Sequence, residues 1–379
     1  MAGQDVVSLM VLPPLVPDTP PQILMESDGV WRDMSPAGGM RSEVSVKQTK
    51  EQIDRLLGLV MKDVENGTPL SGRGKNLTSK FGDLYEDLLP QSVRDELFAK
   101  SPQQPADAAD VPTLLIHLHP QSEWVPWEML HDGDNYLGLK WQIARLPIVS
   151  KNVNPNLRQP HLVQTIYSLL GRNVLDPSEV QLLADWQNTF AGRPQEWRVP
   201  PPGSINYPDV DVIAGARDVD ILHITCHGGI KNDEGEFVWT LDHRGSELSY
   251  HITQTMVSRL TLRSRPLVFG NACASAAADA NGDQRGLLPA FGASFFAQGA
   301  LNFVGTFAPV TKVVAVEFAR LFYAHLFGPG GQPGEGIGRA LWKTKADFFA
   351  RDLLGAPGKP DLSYLFYCLY GLPDTMYQI

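Results

Sequence analysis

Cysteine is scarce: the 379-residue chain holds three, Cys226, Cys273 and Cys368. So sparse and odd a set builds no disulfide framework. Long apolar runs are missing as well. No segment offers eighteen uninterrupted apolar residues, and the start, MAGQDVVSLMVLPPLVPDTPP, has neither a basic n-region nor a long h-region. A secreted or membrane-spanning protein is therefore not expected, and a reducing cytoplasm is the expected compartment. Basic residues are in the minority, 32 Lys and Arg against 42 Asp and Glu, for a formal charge of -10. Without a long basic tract, direct nucleic-acid binding is not the expected role. No internal repeat of fixed period is visible. The loop GPGGQPGEG at 328–336 lacks the Gly-Lys-Ser/Thr ending that a phosphate cradle needs.

What is present supports a folded core: 43% of residues are apolar and 20% charged. The length admits two or three domains or one large α/β unit, and needs no covalent staples. VVSLMVL (6–12) reads as a strand stopped by prolines. Residues 49–63 carry helical apolar spacing. Leu77 to Lys100 reads as one helix, or two divided at Pro90, with Leu84, Tyr85, Leu88, Leu89, Val93 and Leu97 towards a core. Strands are expected at 113–119 and 161–170, extended chain at 136–147, a helix at 177–189 and an irregular run at 193–204. From about residue 205 the pattern alternates. Strands are expected at 220–225, 236–241, 265–270, 301–306 and 362–370. Helices are expected at 210–216, 251–262, 287–299, 311–327 and 337–354. Such alternation favours a largely parallel sheet covered by helices.

Two short motifs carry chemistry. His227 follows the strand at 220–225 and precedes Gly228-Gly229. Cys273 follows the strand at 266–270 and precedes a run of small residues, Ala274 to Ala278. In a parallel sheet both would emerge at the carboxyl edge, where such folds place their chemistry. A cysteine needs a base or a positive neighbour to become a thiolate, and a histidine supplies that and the later proton for a leaving amine. The amide N–H groups of Gly228 and Cys273 are suited to an oxyanion. Together these describe a Cys-His dyad for acyl transfer to water. The spacing leaves a plain alternative open, in which Cys273 is a buried small hydrophobe and His227 a capped loop residue. Cys226, by alternation, packs inward, and His223 shares a side with Thr225. A zinc set of His223, Cys226, His227 and Cys273 matches no usual ligand spacing. Cys368 reads as a buried strand cysteine.

The segments DILHITCHGG (220–229) and PLVFGNACASAA (266–277) resemble the two catalytic motifs of CHAT-domain proteins. These belong to the caspase-like clan of cysteine peptidases, with separases and caspases as relatives. WVPWEML, YLGL and ARLPIV resemble the region upstream of that core. FGASFFAQGALNFVGTFAPV and FARLFYAHLFG resemble the family's stretch beyond the cysteine. The resemblance covers residues 110–375, with the helices at 49–98 similar to the family's upstream part. It implies a caspase-like α/β fold with a mostly parallel central sheet flanked by helices. By motif, His227 is the general base, Cys273 the nucleophile and Gly228 the backbone oxyanion donor. The implied activity is that of a thiol endopeptidase acting on a protein or peptide substrate, with no cofactor. Such proteins in bacteria work in antiviral defence or cell death, as zymogens switched on by a partner or an upstream protease.

The chain is expected to divide into three parts: 1–110, an N-terminal strand and helical region packed on the core; 111–205, the upstream part; and 206–379, the catalytic subdomain. Two positions before the cysteine stands Asn271, suited to line the first specificity pocket without fixing its charge. Asp279 and Asp283 are candidates to select a basic residue there, although solvated loop acids are the plainer reading. Trp239 is expected near the substrate groove. Asp220 is expected only to start its strand. Trp124, Trp127 and Glu128 are read as a lock between the N-terminal part and the sheet. Two other functions remain: a catalytically silent interaction module, and a second-messenger sensor, which the missing phosphate loop disfavours.

Overall fold

The computed structural model describes residues 6–12, 22–35, 51–52, 55, 74–101, 111–118, 123, 125–147, 160–170, 196–198, 218–231, 237–244, 248–272, 291–328, 334–354 and 362–378. Apolar strands buried on both faces dominate the centre. Three strands begin the chain: β1 (Val6–Leu12), β2 (Gln22–Ser27) and β3 (Val30–Asp33). Helices α1 (Gly74–Leu88) and α2 (Gln91–Lys100) follow, divided at Pro90, which lacks the amide proton a continuous helix needs. Their face of Leu84, Tyr85, Leu89, Val93 and Leu97 is buried as expected, with Leu88 partly buried. Next come β4 (Thr113–Leu118), the helical turn α3 (Leu137–Lys140), β5 (Gln142–Pro147), β6 (His161–Leu162), β7 (Thr165–Leu170) and β8 (Glu196–Arg198).

The remaining elements are β9 (Ile221–Thr225), β10 (His227–Lys231), β11 (Phe237–Arg244), β12 (Leu248–Thr253) and α4 (Gln254–Ser258). They continue with β13 (Leu267–Asn271), α5 (Phe291–Ala297), β14 (Asn302–Thr306), α6 (Lys312–Phe327) and α7 (Ile337–Leu354). The chain closes with β15 (Tyr367–Gly371) and β16 (Tyr377–Gln378). Of the expected helix at 49–63, only 51–52 and 55 are described, and they are helical; the helices expected at 177–189 and 210–216 lie outside the described residues.

One 11-stranded sheet runs β3-β2-β1-β4-β5-β15-β14-β13-β9-β7-β8. All its neighbours pair in parallel except β1–β2, β2–β3 and β14–β15. The sheet is therefore two parallel blocks of opposite sense, β1-β4-β5-β15 and β14-β13-β9-β7-β8, joined at an antiparallel seam. The carboxyl ends of β9 and β13 share one edge, and those of β4 and β5 lie at the opposite one. The sheet runs continuously across residue 205: β7 and β8 precede it and β9 follows it, yet they are neighbours.

Side chains alternate along β13, β14 and β15 and reach a separate layer on each face. On one face Phe269 and Tyr367 meet Phe318, Phe322 and Tyr323 of α6. On the other, Phe303 and Tyr370 meet α5 through Phe295 and the close approach of Gly292. A three-stranded antiparallel sheet, β10-β11-β12, also stands at this face. The span 251–262, expected as a crossover helix, instead holds the end of β12 and five-residue α4, whose N-cap is Thr253. Leu248 to Thr253 alternates as a strand, and the Thr253 hydroxyl then accepts the Met256 amide to start the helix.

Of the cluster expected to lock the N-terminal part against the sheet, Glu128 is fastened to β5. Its carboxylate is 2% exposed and ion-pairs the fully buried Arg145 of β5. Trp127 is buried beside it, and Trp124 lies outside the described residues. Trp342 of α7 donates its indole N–H to the Leu139 carbonyl at 2.8 Å, fastening α7 over the first block.

Candidate active site

The candidate site is sought at the carboxyl edge of the second block. β9 and β13 are adjacent and parallel, in the register Ile221↔Leu267 through Thr225↔Asn271. Adjacent strands lie about 4.8 Å apart. Thr225 and Asn271 thus leave the sheet side by side, with His227 two residues past one and Cys273 two residues past the other. Cys273, Asp279 and Asp283 lie outside the described residues. His227 opens β10, opposite Thr240 of β11, and its side chain is exposed; Gly228 is half-buried. The pairing shifts between His227 and Ile230, a bulge-like irregularity within β10. Thr240 is in turn hydrogen-bonded through its hydroxyl to His251 Nδ1 at 3.0 Å.

The neighbouring histidine and cysteines have other surroundings. Cys226 is 4% exposed and faces the core, as alternation required. His223 is buried, stacked on Phe269 at 5.2 Å between centroids. Its ring nitrogens lie 3.2 Å from the Tyr323 hydroxyl and 3.0 Å from that of Thr225. Burial pushes its pKa down to about 3, so the ring is neutral at ordinary pH. Cys368 sits in β15 with its thiol on the Gly305 carbonyl, and burial pushes that thiol up to about 12. A cysteine so hard to ionise is a packing residue. Asp220 ties two strand starts together, accepting from the Gln164 and Thr165 amides at 2.8 and 2.9 Å.

Two residues expected at the substrate pocket are held inside. Trp239 is 1% exposed, stacked on Phe291 at 4.4 Å and lying against Gly270. An indole on β11 must bury its apolar surface somewhere, and the gap left over Gly270 takes it, so Trp239 is a core residue and not a groove wall. Asn271 is 4% exposed. Its Oδ1 accepts the Tyr367 hydroxyl at 2.6 Å and its Nδ2 donates to the Ala315 carbonyl at 3.3 Å. It ties the end of β13 to β15 and α6.

One contributor escapes a sequence reading. Thr306, the last residue of β14, is fully buried and donates its hydroxyl to the Ala272 carbonyl at 2.7 Å. Thr306 and Ala272 are 34 positions apart. Only the parallel pairing of β13 with β14 brings them together, and no motif marks the threonine. Among the described residues no group of three or more His, Cys, Asp or Glu is placed to hold a metal ion.

Register, layers and seam together define an α/β protein of caspase-like architecture. The chain belongs to the CHAT-domain family, whose model matches residues 79–350. Among solved structures it is similar to separase in the Saccharomyces cerevisiae separase–securin complex. One such structure gives a TM-score of 0.59 at 10% identity over 98% of this chain, another 0.56 at 12% over 99%. The chain spans 30% of the length of the separase chain. It is also similar to the Arg-specific cysteine proteinase gingipain R, with a TM-score of 0.45 and 14% identity over 76% of this chain and 68% of that one. No curated protein matches it. No described helix is long and apolar enough to cross a membrane.

Proposed function

We propose that this chain is a cysteine endopeptidase that cuts a protein substrate through an acyl-enzyme. The observation that carries the reading is the register Thr225↔Asn271, which sets side by side the strand ends that precede His227 and Cys273 by two residues each. The exposed His227 side chain supports it, since a general base must reach substrate. In this mechanism the Cys273 thiolate attacks the scissile carbonyl and forms the C–S bond. The backbone N–H groups of Gly228 and Cys273 hold the oxyanion. His227, protonated on taking the thiol proton, gives that proton to the leaving amine as the C–N bond breaks. Water, deprotonated by His227, then attacks the thioester and releases the acid. No resident cofactor enters these steps.

The similarity to separase solved in complex with securin supports an interaction with a separate protein, and we assign control to such a partner. We place that control in the cytoplasm, in a defence or cell-death system, with a partner or an upstream protease as the switch. The test incubates the activated protein with a peptide library covering every residue before the scissile bond, and reads new termini by mass spectrometry. Wild type is expected to cleave, and Cys273→Ala and His227→Ala are each expected to lose cleavage by about 10³-fold or more. Cleavage that persists in both variants overturns the assignment.

A further inference from the structure

We propose that the free edge of β3 docks a second copy of this chain, whose own β3 joins it antiparallel across a two-fold axis. The surface is independent of the proposed catalysis. β3 closes one end of the 11-stranded sheet, and among the described residues no strand stands beyond it. All four of its residues are exposed, Val30 at 51% and Trp31 at 44%. It has neither the proline nor the bulge that blunts many natural edges. Its two charges, Arg32 and Asp33, are of opposite sign, so they select a partner instead of repelling every one.

The hairpin fixes which backbone groups face outward. Asp28 and Gly29 have positive φ, 56° and 77°, so β2 and β3 are joined by a two-residue turn of type I′. Such a turn closes on a hydrogen-bonded pair, here Ser27↔Val30, and every second pair after it is bonded. Met25↔Arg32 is the next, and the Met34 amide on the Ile23 carbonyl at 2.9 Å continues the series. The amides and carbonyls of Val30 and Arg32 therefore turn to β2, and those of Trp31 and Asp33 turn away from the sheet.

A two-fold axis at this edge keeps each face of the sheet continuous and makes the contact isologous. Centred on Asp33 it opposes two carboxylates, and centred on Arg32 two guanidinium groups. Centred on Val30 it sets each Trp31 against a turn glycine. Centred on Trp31 it forms two backbone hydrogen bonds between the Trp31 residues and sets their indoles side by side. That face is the one on which Trp31 already packs edge-on against His117, at 5.9 Å between centroids. On the other face each Val30 lies against the stem of Arg32 of the second copy. The guanidinium then reaches diagonally to the exposed Asp28 of that copy. The right-handed strand twist closes this diagonal and opens the one between the two Arg32 side chains. Charge complementarity thus favours the Trp31-centred pairing. Four residues from each copy make a small contact, so the dimer is reversible, with Kd on the order of 10⁻⁵–10⁻⁴ M.

Sedimentation velocity on the full chain, over about two decades of concentration around that Kd, reads the equilibrium. Trp31→Pro removes an outward amide and no β2–β3 bond. It is expected to raise Kd about 10-fold or more, with an unchanged circular dichroism spectrum. Should it fail to fold, Trp31→Lys is read the same way. Register is read by oxidising a mixture of Val30→Cys and Arg32→Cys chains in a Cys273→Ala background, where the remaining thiols, Cys226 and Cys368, are buried. Mixed disulfides between the two variants are expected to predominate over like pairs. A wild type that stays monomeric throughout overturns the proposal and leaves the edge to a strand of another protein. Dimerisation that Trp31→Pro and Trp31→Lys leave unchanged overturns it by placing the contact elsewhere, and a majority of like pairs overturns the Trp31-centred register.

Discussion

At His223 the chemistry of one ring is decided by where the sheet puts it. Alternation along the strand sets this histidine on the side of Thr225, away from the proposed base. Its ring is stacked between strand and helix, with hydroxyls of Tyr323 and Thr225 at its two nitrogens. Desolvation holds its folded-state pKa near 3, below the ordinary 6.5. The unfolded chain then binds a proton in that interval and the folded one does not, so stability falls as pH drops from 6.5 towards 3. The loss is at most about 1.4 kcal/mol per pH unit over that window. His223→Gln, which can keep hydrogen bonds but cannot charge, is expected to flatten that part of the profile. Urea unfolding of both proteins across the window checks it, and parallel slopes would sink the account. Of the candidate site, the sequence marks His227 and Cys273, each just past an apolar strand and beside small residues, and it turns Cys226 inward by simple alternation, where the structure buries it. Trp239 and Asn271 were not legible. Their surroundings come from α5, α6 and β15, none of them near in sequence.

The element that presents His227 is a hairpin standing on a glycine. β10 and β11 dock through Trp239, whose ring lies over Gly270 of β13, the strand that leads to Cys273. A methyl group at Gly270 would sit 2.9 Å from Trp239 Cη2 and 3.3 Å from Phe303 Cζ. Neither contact is a flexible chain end, so the ring must shift against Phe291 and Phe295. Gly270→Ala is therefore expected to cost about 1–3 kcal/mol. Chemical denaturation followed by tryptophan fluorescence measures it, and an unchanged midpoint would show that the hairpin yields freely. Elements with one clear period were readable in advance: β1, β4, β9, β13, β14, α6 and α7 all stand where their patterns put them. The strand β12 was not, because LSYHITQTMV changes period in mid-run and its apolar residues also fit a helical face. Strands β2 and β3 were missed for another reason. QILMES and VWRD are short, and every residue of VWRD is exposed, so little apolar alternation marks it.

For the molecule as a whole, the seam decides what folds with what. The chain after residue 206 carries both candidate catalytic motifs and a regular alternation of elements. The sheet ties it to strands from before residue 205. Strands β15, β14, β13 and β9 are consecutive in it, but β15 needs β5 on one side and β9 needs β7 on the other. Both outer neighbours come from residues before 205. Cutting there uncovers two strands at once, and every residue of each is buried in the full chain. Cys368 and Tyr370 of β15 would lose the cover of Arg145 and its strand, and Ile221, Leu222 and Ile224 of β9 the cover of β7. Long apolar edges without bulges or charges pair with one another. A fragment of residues 206–379 is therefore expected to self-associate or stay molten, while the full chain unfolds cooperatively. Size-exclusion chromatography with near-ultraviolet circular dichroism distinguishes the two states. A monomeric 206–379 fragment with native-like aromatic signals would show that the strands before residue 205 are an addition to it, where the sheet makes them a structural requirement.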